Sequence, residues 1–130
     1  MTRRFVVVIL LFAVALGSAP LVAHHSAAAT YFEDKSQTVE GTLVQFIYRN
    51  PHAFVYVEAP DPATGQMARW AVEWTSGQAL NGLGITRETL KAGDHVAITG
   101  SPGRNAAEHR LRMRKIVRAK DGWKWEGNFQ

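Results

Sequence analysis

Five histidines, His24, His25, His52, His95 and His109, carry most of the ligand chemistry in this 130-residue chain. Imidazole is a common metal ligand, and sets of nitrogen donors favour copper and zinc. If processing makes His24 the first residue, its α-amino nitrogen and its ring can chelate one ion. A further imidazole then completes a three-nitrogen, T-shaped set suited to copper(II). His52 is the best-placed partner, because it opens a strand just after the Asn50-Pro51 turn, within reach of an N-terminal arm. His25 is the alternative, although adjacent residues of an extended arm point to different sides. The blander account makes His24 and His25 a frayed terminus and His52 a residue that hydrogen-bonds across its turn.

Glu73 stands between Val72 and Trp74. Such a carboxylate would either orient a metal-bound histidine or serve as the base to a metal-bound water in a small hydrolase. A strand carboxylate ordinarily faces solvent, and no His-Glu-x-x-His helix supports a hydrolase. The five serines lack a nucleophile elbow, and Gly82-Leu83-Gly84 lacks both the spacing and the lysine of a phosphate loop. With no cysteine, disulfides, thiolate metal sites and thiol nucleophiles are excluded. A binding protein rather than an enzyme is therefore expected, with no catalytic residue assigned and copper or zinc as the ion carried or buffered.

A second constellation is basic and aromatic. Arg110, Arg112 and Arg114 line one side of a strand, and Trp123 and Trp125 recur at spacing two in the tail. They make a candidate interaction face, and with it an alternative function: a module that binds an envelope polymer or a periplasmic protein without metal. The tryptophans would equally serve as a last strand covering the mouth of a barrel. Phe54 and Tyr56 share a strand face that, beside the arginines, has the composition of a single-strand nucleic-acid groove. Export and a low net charge argue against that partner, so no nucleic acid is expected.

The compartment follows from the first 23 residues. Arg3 and Arg4 precede an unbroken apolar run, Phe5 to Leu16, which Gly17, Ser18 and Pro20 interrupt before Leu21-Val22-Ala23. This is the pattern of a cleaved secretory signal, too short to span a bilayer, which takes about 20 apolar residues. Cleavage after Ala23 starts the chain at His24-His25-Ser26. Cleavage after Ala19 would leave Pro20 past the scissile bond, and cleavage within Ala27-Ala28-Ala29 would remove both histidines. The working protein is expected in the periplasm with no membrane span after processing. Loss of Arg3 and Arg4 lowers the formal charge from +4 to +2, with the positive excess in residues 104–130.

Four segments result: a signal over 1–23, an N-terminal arm over 24–35, a barrel domain over 36–120 and a tail over 121–130. In the arm, Tyr31 and Phe32 are the residues able to tack it onto the domain. Val39, Gly41 and Leu43 share one strand face; the apolar parity then shifts to Val44, Phe46 and Tyr48, which predicts a bulge near Leu43-Val44. Alternation predicts strands over 52–58 and 68–74, joined by the turn-rich Pro60 to Gly65. Thr75 to Gln78 has capping-box spacing for a short helix limited by Gly82 and Gly84, and Thr86 can cap a further turn. Strands over 95–100 and 110–118 follow, the second with Leu111 and Met113 inward. Three strands, a short helix and two strands is the order of an all-β, five-stranded, partly open OB-like barrel.

Ala23 to Ser26, Gly41, Asn50-Pro51-His52-Ala53, Trp70 to Glu73 and the Leu90 to Asp94 turn occur in an order that resembles one family. It comprises small exported bacterial proteins known only as a domain of unknown function. Ala27 departs from the pattern, which has an aromatic residue there. The resemblance implies a periplasmic location and the barrel, and it implies no reaction.

Overall fold

In the computed structural model, which describes residues 27–128, the alternating segments become strands of one sheet. A single helical turn, α1 (Ala27–Thr30), leads into β1 (Gln37–Ile47), β2 (Phe54–Pro60) and β3 (Met67–Glu73). A short helix, α2 (Gly77–Gly82), precedes β4 (His95–Pro102); a 3-10 turn at Ala106–Glu108 precedes β5 (Arg110–Arg118), and β6 (Lys124–Glu126) ends the sheet. The expected signal segment, His24 and His25 lie outside the described residues. Among the described residues no helix is long and apolar enough to cross a membrane.

The strand order is β3-β2-β1-β4-β5-β6, and β3 also pairs in parallel with β5 through Ala71–Arg110, Val72–Leu111 and Glu73–Arg112. That pairing closes five strands into a mixed barrel with α2 between β3 and β4, the OB-like architecture expected from the element order. β6 adds to the outer edge of β5, setting Trp125 opposite Ile116.

β1 serves two neighbours at once: residues 37–42 pair with β4, and residues 42–47 with β2. The register against β2 shifts between Leu43 and Gln45, so the bulge lies where the parity changed. Gly41 permits the bend, because a Cβ there would lie 2.0 Å from the Glu58 carbonyl oxygen. β5 carries a second shift, where Thr99 and Gly100 face Lys115 and Met113 and Arg114 is the extra residue. Leu111 and Met113 before that shift and Ile116 after it therefore all face inward.

The barrel interior is filled by Val39, Leu43, Val55, Val57, Val72 and Ile98 together with Leu111, Met113 and Ile116 of β5, with Trp70 and Trp74 the largest contributors. Leu80, Ile85 and Leu90 from the β3–β4 connection join the same core.

Three boundaries differ from the sequence reading. The β2–β3 ladder runs to Pro60–Met67, because the Asp61 N–H donates to the Gln66 carbonyl (2.8 Å) and the Asp61 carboxylate accepts from the Ala63 N–H (2.8 Å). His52 and Ala53 precede β2 rather than begin it. The helix cap is Ser76, not Thr75: Ser76 Oγ accepts from the Ala79 N–H at 3.1 Å, and the Gln78 N–H donates to Asn50 Oδ1 at 3.0 Å. Asn50 thus takes up an amide proton at the start of the helix.

Candidate functional site

Glu73 ends β3 with its side chain on the outer face, opposite Phe54 of β2 and Arg112 of β5. The β1–β2 loop returns beside it because Ala53 exchanges backbone bonds with the next turn: its N–H donates to the Thr75 carbonyl (3.0 Å) and its carbonyl accepts from the Trp74 N–H (2.8 Å). This pins the neighbouring His52. Its Nδ1 lies 3.2 Å from Glu73 Oε1 and 3.3 Å from the Trp74 carbonyl oxygen. Two acceptors at one nitrogen assign the ring proton to Nδ1. The lone pair of the neutral ring is then on Nε2, and the side chain is 47% exposed.

Glu73 itself is only 18% exposed. Its Oε2 accepts from the Tyr31 hydroxyl at 2.6 Å, and Arg110 Nη2 lies 3.8 Å from the same oxygen. Burial first, and the bond to Glu73 second, push the Tyr31 phenol well above its usual range. The phenol therefore stays protonated and donating. With both carboxylate oxygens engaged, Glu73 is suited to orienting His52 rather than to taking a proton from water.

Tyr31 also docks the arm. It forms a bridge with Gly103 and is 2% exposed. Arg104 Nε donates to the Ala28 carbonyl at 2.7 Å, and the Arg104 N–H to the Thr30 carbonyl at 2.9 Å. Of the expected interaction face, Arg110 lies beside Glu73 and Glu108, and Arg112 pairs with Glu33 at 3.1 Å. Arg114 donates to the carbonyls of Glu33 and Lys35. Arg112 and Arg114 grip the arm, and the Arg110 guanidinium lies over the Tyr31 ring at 5.8 Å. Trp125 packs edge-on to Trp74 with ring centroids 5.1 Å apart, and Trp123 lies under Arg118.

The remaining histidines are apart from this cluster. His95 Nε2 pairs with Glu40 on the surface at 3.1 Å. His109, in the left-handed region at φ 47°, reaches Asp61 through Nε2 at 2.9 Å and meets Trp70 edge-on. Among the described residues no three His, Cys, Asp or Glu side chains gather as a metal site; His52 and Glu73 are a pair. The sequence analysis missed Tyr31 as a partner of Glu73. The one available signal was an aromatic hydroxyl in an otherwise featureless arm.

The sequence pattern of a family of unknown function matches residues 12–112. No curated protein matches the chain. Among solved structures, two crystal structures of the mitochondrial single-stranded DNA-binding protein Rim1 of S. cerevisiae, one of them selenomethionine-labelled, are similar in fold. They have 16% and 17% identity and TM-scores of 0.48; each covers 68% of this chain, and 96% and 97% of their own chains are covered. At that identity the likeness concerns the fold alone. Rim1 is a single-stranded DNA-binding protein, which conflicts with the exclusion of nucleic acid drawn from export and net charge, and that exclusion is withdrawn. Whole-chain charge was the wrong quantity, because a local groove decides such binding.

Proposed function

The chain belongs to DUF6152, a family of unknown function, and from that premise we propose that it is a periplasmic binding module for a transition-metal ion, copper first. His24, with its α-amino nitrogen and ring, and His52, through Nε2, supply the nitrogen donors; His25 is the neighbouring alternative. The observation that carries the reading is the Nδ1 of His52 held between Glu73 and the Trp74 carbonyl. A ligating histidine ordinarily donates its other ring N–H in this way, which fixes the ring and raises its basicity.

Tyr31 strengthens the reading, because the arm that carries His24 is hydrogen-bonded to the carboxylate that orients His52. His24 stands seven residues before Tyr31, and with Ala27–Thr30 in a helical turn that stretch reaches at most about 17 Å. Processing after Ala23 keeps both histidines and the Ala28 carbonyl that Arg104 holds. Processing within 27–29 would remove the histidines and break into that anchored turn. Glu73, the carboxylate beside His52, has both oxygens engaged, which fits carriage or buffering better than turnover.

Native mass spectrometry of the exported protein, followed by copper titration, tests this. A chain starting at His24 and binding one copper, with tight one-to-one binding abolished by His24→Ala and by His52→Ala, is the expected result. A chain starting after Ala28, or an affinity unchanged by either substitution, would overturn it.

A further inference from the structure

The surface adjoining His52 carries a second ligand reading. Between the β1–β2 loop and α2 lies an open cleft of about 440 Å³, walled by Tyr48 and Gly77 and lined by Arg49, Asn50, Gln78 and Arg87. The Tyr48 hydroxyl fixes that wall by donating toward the carbonyls of Gly77 (2.6 Å) and Ile85 (3.2 Å). Both arginines are exposed, and among the described residues neither forms an ion pair with a carboxylate. Each guanidinium instead rests on an aromatic ring, Arg49 on Phe54 at 5.5 Å and Arg87 on Tyr48 at 5.3 Å. Two planar cations held on rings at one cleft form a fork for an anionic oxygen group.

Through Arg49, which rests on Phe54, the cleft adjoins the outer face of β2. Phe54 and Tyr56 stack side by side with ring centroids 6.3 Å apart. Both rings are half-buried, and the β3 residue paired with Tyr56 is the small Ala71. The positive charge does not continue along this strip. Glu73 flanks Phe54, and Glu58, paired with Arg69 at 3.3 Å, follows Tyr56. A ligand with its charge at one end and neutral, ring-shaped units beyond it matches that pattern.

We propose that this surface binds an acidic oligosaccharide. The carboxylate or phosphate of one sugar sits between Arg49 and Arg87. Hydroxyls of the same sugar meet the carboxamides of Asn50 and Gln78; Asn50 Oδ1 is already bonded to the Gln78 N–H, which leaves its NH2 to donate outward. The next sugars lay their apolar C–H faces on Phe54 and Tyr56.

Titration of the purified protein with a galacturonic acid trisaccharide tests the proposal, beside a neutral glucose trisaccharide and a six-residue thymidine oligonucleotide. The acidic sugar is expected to bind at least about tenfold more tightly than the neutral one. That preference should vanish in Arg49→Gln/Arg87→Gln, affinity for both sugars should fall in Tyr56→Ala, and Arg69→Gln should change nothing. Retained thermal unfolding midpoints separate these effects from misfolding. Equal binding of the two sugars, or none, overturns the proposal. Tighter binding of the oligonucleotide, lost through the same arginines, overturns it in favour of single-stranded nucleic acid. Copper titration of the same double variant reports on His52 separately, because Arg49 Nε also donates to the His52 carbonyl at 3.4 Å.

Discussion

At the scale of single residues, Glu73 is the junction of the molecule's chemistry. One carboxylate accepts from Tyr31, faces His52 and lies near Arg110, joining three segments distant in sequence. The Tyr31 hydroxyl bond is of the stronger kind, with an ionised acceptor. Tyr31→Phe keeps the buried ring and removes only the donor, leaving Glu73 Oε2 with Arg110 at 3.8 Å. It should lower stability by about 1.5–3 kcal/mol, read as a lower urea midpoint at constant slope. An unchanged midpoint would mean that the arm is held by its backbone bonds and its arginines instead.

Among the elements, the β3–β4 connection is held to β5 by charge. Asp94, 4% exposed, receives the Lys91 N–H at 3.0 Å, Arg118 Nη1 at 3.2 Å and Lys120 Nζ at 2.6 Å. Burial alone would raise the Asp94 carboxyl, but the bonds from Lys120, the Lys91 amide and Arg118 outweigh it and hold the group below its usual range. Asp121, facing Arg118, is lowered in the same direction. A carboxyl lowered in the folded state adds stability above its unfolded value and loses it as pH falls through the folded one. The urea midpoint should therefore be level near neutrality and decline below the ordinary carboxylate range, around 3.8. Asp94→Asn should cost about 3 kcal/mol at pH 7, the low end for a broken buried pair because Lys120 is exposed, and should flatten the acid decline. A decline as steep as in the parent chain would place the acid sensitivity elsewhere.

For the molecule as a whole, closure depends on β1 bending between two partners and on β5 reaching β3. Both bends coincide with glycines whose missing Cβ makes room: Gly41 against the Glu58 carbonyl, and Gly100, where a Cβ would lie 2.3 Å from the Arg112 carbonyl. Backbone rather than a flexible side chain blocks each position, so the strain cannot relax locally. Gly41→Ala should abolish cooperative thermal unfolding or sharply lower its midpoint. Gly82→Ala, with open space around the Cβ and no positive φ, should leave the midpoint unchanged or raise it. A tolerated Gly41→Ala would mean that the barrel is less tightly closed than its strand pairings indicate.

Alternation along the chain determined the strands, the bulge at Leu43, the inward residues Val55, Val57, Trp70 and Val72, and the OB-like order of elements. These are properties of period two, which neighbouring residues express without reference to distant ones. The family pattern was legible for the same reason, as short motifs in fixed order. His52 and Glu73 were each visible as candidates, but their meeting was not, and neither was Tyr31 joining them from 42 residues away. Only the backbone bonds of Ala53 to the turn after β3 and the docked arm decided that, together with the occupation of Arg112 and Arg114 by the arm and the stacking of Arg110 over the Tyr31 ring. The physical reason is that a polar side chain's role depends on which partner reaches its desolvated atoms, and that partner is chosen by how the sheet closes rather than by the residues adjacent to it in sequence.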